Sequence, residues 1–344
     1  MTEQVWSNPD IYRIQVGLPQ NPLGNLNVYV LCTPERNLII DTGFCRPECR
    51  ADLWQGIEEL NLDLGRTALF LTHLHSDHTG LVWDFVSRGI PVYMGRVDLA
   101  YFTDASPAER WEQLEEIWVR EGFPADQMTR QTGENQARLY APQPYFPAIP
   151  VDNWEKIPMG KLTVLALHTP GHTPGHMVLY LPEERLIFSG DHILFDITPN
   201  ISVWYQAPNS LKDYLSSLSR IRALPIQTAF PAHRFYKGDV YQRIKELLEH
   251  HARRMDEVLA AVEDHPGSTA YELAGNITWS ARGLEWEAFP PHQKWFAMGE
   301  TLAYLYFLLD TGWIFRQTED GKLVYHLTSG GVNHKNHKQE VIQI

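Results

Sequence analysis

The chain has 344 residues, 44% of them hydrophobic, and a formal net charge of −13. Its length and apolar content allow one large domain plus a smaller one, while its charge disfavours polyphosphate partners, so nucleic acid is not an expected ligand. Its three cysteines, Cys32, Cys45 and Cys49, are too few and too irregular for a disulfide framework and lack zinc-ribbon partners, which is the pattern of reduced thiols in a cytosolic protein.

The opening MTEQVWSNPD has neither a basic nor a long apolar stretch, and no apolar run nears membrane-spanning length. The expectation is a cytoplasmic protein that is not in a membrane. Residues 11–42 run IYRIQVGL, NLNVYVLC and NLIIDTG, short strands separated by turn residues. Residues 48–61 carry Leu53, Ile57 and Leu60 at helical spacing. ALFLTHLH (68–75) is a buried strand entering a histidine-rich loop, 78–89 is helical, and IPVYMG (90–95) is a further strand. This alternation predicts an α/β layered domain. Residues 97–150 break the rhythm with an amphipathic helix and a Pro- and Tyr-rich loop, the pattern of an insertion or cap. Strands return in KLTVLALHTPG and in HMVLYLPEERLIFSGDH, a hairpin about PEER; a helix over 210–224 and the strand QTAFPAH follow. From about residue 239 come a long amphipathic helix, a short helix with a Ser/Thr cap, a third helix stopped by Gly312, and a hairpin about Asp320-Gly321. The predicted division is a catalytic domain over 1–238, a winged-helix-like unit over 239–328 and a tail over 329–344.

THLHSDHTG (72–80) places His73, His75, Asp77 and His78 within six residues, after an apolar strand. Ligand sites of α/β structures favour that end of a strand. His73 and His75, alternate residues, can grip one ion, while Asp77 and His78 turn toward a second position; His and Asp suit Zn, Fe or Mn. His172, Asp191 and His233 follow later apolar runs in turn-forming contexts, so four strand-end loops supply polar ligands.

These motifs, IDTG (40–43), THLHSDHTG (72–80), TPGHTPGH (169–176), FSGDH (188–192) and FPAH (230–233), resemble the metallo-β-lactamase superfamily over roughly residues 10–238. The resemblance implies an αββα sandwich with the site at one edge. It implies that His73, His75 and His172 hold one metal, that Asp77, His78 and His233 hold a second, that Asp191 bridges them, and that Asp41 orients ligands from behind. Two divalent ions, zinc before iron or manganese, would share a hydroxide that attacks the substrate while Asp77 also handles a proton. Flavodiiron oxygen reductases of the superfamily carry Glu where His75 stands, so hydrolysis is favoured over redox chemistry. Many hydrolytic relatives flank the last histidine with Gly; here Ala232 and Arg234 stand there, and Arg234 is a candidate contact for an anionic group.

The expected activity is cleavage of an ester, thioester or lactone bond of a small molecule, in the manner of glyoxalase II and thioesterases. Phosphodiester or RNA cleavage is the second reading, and a ligand-binding regulatory protein that kept the fold is the third. His168 and His176 are read as structural or supporting residues, His192 as a candidate for a substrate or supporting contact, and His250 and His251 as a solvated helix face. Trp204 and Tyr205 are read as packing residues or pocket wall, and the 101–150 stretch as a lid over the site or a homodimer contact. The C-terminal unit is more acidic than basic, and its third helix reads TLAYLYFLLDTG, a core or interface face and not a nucleic-acid reader.

Overall fold

Runs of β-branched and aromatic residues punctuated by Pro, Gly and Asn build the first strands: β1 (Thr2–Trp6), β2 (Asp10–Gly17), β3 (Asn25–Cys32) and β4 (Asn37–Ile40), an antiparallel meander. The computed structural model describes residues 2–104, 107–205, 207–234, 237–279 and 285–329; of the predicted tail, residues 330–344 lie outside these. Helix α1 (Pro47–Glu59) starts on Pro47, where a missing N–H costs nothing. Strand β5 (Thr67–Leu71) follows. Two short helices, α2 (Ser76–Thr79) and α3 (Val82–Val86), stand where the spacing predicted one. Next come β6 (Val92–Gly95), α4 (Arg96–Thr103), α5 (Pro107–Arg120), α6 (Ala125–Glu134) and α7 (Gln136–Leu139). The expected insertion is thus helical as far as Leu139; its Pro- and Tyr-rich stretch is a loop, as the sequence predicted, and its last residues open β7 (Ile149–Val151) and rejoin the sheet beside β6. The remainder is β8 (Glu155–Met159), β9 (Leu162–His168), β10 (Met177–Leu181), β11 (Leu186–Gly190), α8 (Ser210–Arg222), β12 (Thr228–Pro231), α9 (Val240–Asp264), α10 (Ala270–Gly275), α11 (Pro291–Asp310), β13 (Ile314–Glu319) and β14 (Lys322–Leu327).

The chain divides into two compact units. One holds Met1–Pro107, Gln136–Pro199 and Arg222–Arg243; the other holds Ala108–Asn135, Asn200–Ile221 and Ile244–Ile344. The first contains a seven-stranded sheet in the order β1 to β7 and a five-stranded sheet in the order β12-β11-β10-β9-β8. Strand β5 shows why its sequence is apolar throughout. Ala68 and Phe70 pack into the core between the sheets with Val164, Ala166, Leu179, Phe188 and Phe230. Leu69 and Leu71 face the opposite core with Leu53, Ile57, Phe85 and Leu99 of the helices. A strand covered on both faces loses the polar half of the period-two pattern. Burying each such aliphatic side chain contributes about 1.5–3 kcal/mol.

In the second unit, α11 is buried on most of its circumference, as a helix with apolar residues on most of its faces must be. Trp295 of that helix stacks on Trp118 at 4.5 Å. His251, expected on a solvated face, is buried instead, with Nδ1 2.7 Å from the Tyr304 hydroxyl. The reason is register: Ile244, Leu247, Leu248, His251, Met255 and Val258 follow helical spacing along one buried stripe of α9. The predicted turn Asp320-Gly321 joins β13 to β14, both residues having positive φ (48° and 79°), as a two-residue hairpin turn requires. Among the described residues, no helix is long and apolar enough to cross a membrane.

Candidate metal centre

Strand β5 lies between β4 and β6, parallel to both. The chain leaves it as Thr72-His73-Leu74-His75 and winds at once into α2, which carries Asp77 and His78. His172 lies in the loop from β9 to β10. Asp191 directly follows β11, and His233 comes two residues after β12, its parallel neighbour. The carboxyl ends of parallel strands thus bring distant segments of the first unit to one place.

The structure gathers all seven predicted ligand residues. Their donor atoms form three groups, each mutually within 4.8 Å: His73, His75 and His172; His73, His78 and Asp191; and Asp77, His78 and His233. His73 Nε2 is 3.1 Å from His75 Nδ1, and His78 Nε2 is 3.3 Å from His233 Nε2. Asp77 Oδ2 is 3.4 Å from His233 Nε2. Asp191 turns one oxygen to each side: Oδ2 lies 3.4 Å from His172 Nε2, while Oδ1 lies 3.4 Å from His233 Nε2 and 3.7 Å from His78 Nε2. Except for the partly exposed His75, these residues are buried.

The surrounding hydrogen bonds fix which ring nitrogen faces inward. His78 Nδ1 is 2.8 Å from Asp41 Oδ2, which only accepts, so Nδ1 carries the proton. His233 Nδ1 donates to the Asn25 carbonyl at 3.0 Å. In the neutral rings both Nε2 lone pairs therefore point into the cluster at each other, an arrangement that repels unless a cation lies between them. Asp191 Oδ1 is buried and accepts no hydrogen bond from the described residues. Five imidazoles and two carboxylates gathered in this way fit divalent ions of borderline-to-hard character.

Charge distribution follows the same division. Burial, then the neighbouring imidazoles, push His73 well below the usual histidine range; burial and then His172 push His75 down to about 3. Burial also opposes charge on His78, but Asp41, Asp77 and Asp191 outweigh it and lift that ring to about 10. His233 is raised against burial by Asp191 and Asp77. Asp77 is held below the usual carboxylate range, because His78 and His233 outweigh its burial. Without metal, a proton on His78 thus offsets part of the carboxylate charge, and the same carboxylates favour a proton on His233.

Asp41 also accepts from the Thr72 amide at 2.8 Å, tying the end of β4 to the ligand loop. His176, read as a supporting residue, accepts from the Asp191 amide through Nε2 at 3.1 Å. His168 Nε2 donates to the Pro174 carbonyl at 2.8 Å, and His192 is buried with its ring 6.0 Å from that of His176. Arg234 is exposed, and its guanidinium donates to the Pro22 carbonyl at 2.7 Å. Trp204 and Tyr205 belong to the second unit. Sequence reasoning missed three supporting residues. Asn27 donates its side-chain amide to the Pro231 and Arg234 carbonyls at 3.1 Å each, bracing the His233 loop. Asp98 accepts from Leu74, Thr173 and Gly175; burial lifts its carboxyl to about 7. Its available signal is a charge on the buried stripe of α4, one turn before Phe102. Thr173 is the third; inside a turn-forming motif, nothing in its type sets it apart.

A sequence model of the metallo-β-lactamase superfamily matches residues 21–233, and the chain belongs to that superfamily. Among curated proteins, the β-lactamase-like protein 2 homolog of Caenorhabditis elegans is 25% identical over 269 residues, covering 76% of this chain and 74% of that one. An atrochrysone carboxyl ACP thioesterase of Aspergillus fumigatus is 27% identical over 258 residues, covering 75% and 66%. The chain spans about two thirds of the length of such fungal relatives. A metallo-β-lactamase family protein of Thermus thermophilus is 28% identical with a TM-score of 0.78, covering 94% of this chain and all 100% of its own. A β-lactamase domain protein of Burkholderia ambifaria is 24% identical with a TM-score of 0.80, covering 95% and 94%.

Proposed function

We propose that this protein is a two-metal hydrolase of ester-like bonds in small molecules, with thioesters its foremost substrates. The observation that carries the reading is Asp191, which turns one carboxylate oxygen to His172 and the other to His78 and His233. His73, His75 and His172 would hold one ion and Asp77, His78 and His233 the other, with Asp191 shared. When bound, such a pair supplies a nucleophile at neutral pH and stabilises charge on the substrate oxygen. The chain's own part is to fix ring orientation through Asp41 and Asn25 and to keep Asp77 ionised, so that Asp77 serves as ligand and as proton acceptor. Zinc is the ion we assign; iron and manganese suit the same donors. The thioesterase relative of Aspergillus fumigatus supports the thioester reading.

The three helices α9, α10 and α11 with the β13–β14 hairpin support a winged-helix-like reading of the C-terminal segment. The buried, apolar α11 leaves no basic recognition face, which argues against nucleic acid. Exposed Phe296 and Phe315 support the homodimer reading.

Purified protein should carry two divalent ions by elemental analysis and turn over a thioester panel, with single-stranded RNA left intact. Asp191→Ala should remove metal loading and turnover together. Full thioester turnover by chelated, metal-free protein would overturn the proposal, and salt-sensitive RNA cleavage would replace the substrate class.

A further inference from the structure

The segment TPGHTPGH (169–176) supplies one ligand, His172, and the ligand set leaves its Thr173 and Gly175 unexplained. Both converge on Asp98, in the first turn of α4 and fully buried. Thr173 Oγ1 donates to Asp98 Oδ2 at 2.6 Å, and the Gly175 amide donates to Oδ1 at 2.5 Å. The third donor is the Leu74 amide, 2.9 Å from Oδ2. A Cβ on residue 175 would collide with the Asp98 amide nitrogen and stand 2.6 Å from Oδ1, so the close approach needs glycine there.

The sequence positions of these donors give the arrangement its meaning. Leu74 lies between His73 and His75, and Thr173 directly follows His172. Asp98 therefore fastens together the two backbone segments that carry one ligand trio. The opposite group is braced by other residues, His78 by Asp41 and His233 by Asn25. A buried carboxylate is costly unless its lone pairs are met. Here they meet two backbone amides and a hydroxyl, which would themselves be left unsatisfied if the carboxylate were lost.

We infer that Asp98 is a positioning residue dedicated to one of the two metal positions, the one formed by His73, His75 and His172. The inference rests on the two-metal reading above. Asp98 acts through backbone and the Thr173 hydroxyl; it sets the separation of the loops from which the three imidazoles project. Asn at this position keeps the shape but turns its NH2 toward a backbone amide, which can only donate, because each carboxylate oxygen of Asp98 faces one.

The test is competitive zinc titration of the full-length, metal-free protein against a chromogenic chelator. Wild type should show two binding steps. Asp98→Asn should weaken one step by roughly 10–100-fold, the range for residues that orient metal ligands, and leave the other within a small factor. In a His75→Ala background, where only the Asp77, His78 and His233 position stays intact, adding Asp98→Asn should leave the remaining affinity unchanged. Equal weakening of both steps, or of neither, overturns the inference. Where Asp98→Asn fails to fold, Thr173→Val removes one bond at similar volume; it should weaken the same step by a smaller factor, and unchanged affinity overturns the inference. Fewer than two ions on wild type overturns the two-metal reading, and this inference with it, before any variant is made.

Discussion

His78 and His233 show how single residues prepare this site. Each ring gives its Nδ1 proton to a fixed acceptor, Asp41 or the Asn25 carbonyl, and aims Nε2 at the other ring. In metal-free protein the carboxylates favour the protonated form of both rings: they raise His233 above the usual histidine range and lift His78 to about 10, so that His78 is charged at neutral pH. A proton on Nε2 occupies the place an ion would take, so binding must expel it. The sign follows: affinity for zinc rises with pH, by up to about tenfold per pH unit for each proton displaced, and levels off above about 10. Calorimetric titration between pH 6 and 8 in buffers of different ionisation enthalpy measures both the slope and the proton release. Affinity that stays flat over this range would show that these rings are already neutral.

At the scale of elements, the reason for each local structure is visible where polar groups end a helix or strand. Helix α10 is short, six residues, and depends on its start. Thr269 accepts from the Glu272 amide while the Glu272 carboxylate accepts from the Thr269 amide at 2.8 Å, a reciprocal capping box. Thr269→Ala should destabilise the protein by about 1 kcal/mol, read as a lower urea midpoint with an unchanged slope. Strand β5 ends differently. Past Leu71 the apolar run stops at Thr72, whose amide goes to Asp41 and whose carbonyl accepts from Met177 at 2.8 Å. The strand therefore delivers its histidines from a backbone anchored on both sides, a rigid base for ligands that must sit within fractions of an ångström.

For the molecule as a whole, the second unit contains a group that ties stability to pH. Glu121 is fully buried; it accepts from the Tyr325 hydroxyl at 2.8 Å, and Arg316 lies 3.6 Å away. Burial outweighs both partners and lifts its carboxyl from 4.5 to about 7. The folded state therefore holds this proton more tightly than the unfolded chain. The associated stability is fully present below 4.5 and is lost as pH rises through 7. The gap corresponds to roughly 3 kcal/mol. Glu121→Gln, neutral at every pH, should match wild type near pH 4.5 and exceed it above about pH 7.5 by an amount of that order. Thermal unfolding of the two proteins across this range measures the difference, and parallel profiles would show that burial does not neutralise Glu121.

The candidate metal ligands, which the fold gathers in one place, were legible in the sequence because chemistry and spacing coincide there. Imidazoles and a carboxylate crowded after an apolar strand have few other uses, and His172, Asp191 and His233 repeat that strand-then-polar context. Strands, the long helices and the Asp320-Gly321 turn were legible through period two, period 3.6 and left-handed backbone. The supporting residues were not. Asp98 follows His78 only after two further elements, α3 and β6, and precedes Thr173 by several more. Nothing local marks an acid on a helix as a brace for loops so far along the chain. His251 is a case where register overrides polarity, since its place on the apolar stripe of α9 decides its burial. The grouping of residues 108–135 and 200–221 with the C-terminal helices is likewise a product of packing. The sequence by itself determined which atoms are available for metal and what each segment can become locally. Only the tertiary structure decided which loops converge, which ring nitrogen faces inward and which buried carboxylate holds two loops together, because those depend on distances between segments that local periodicity does not encode.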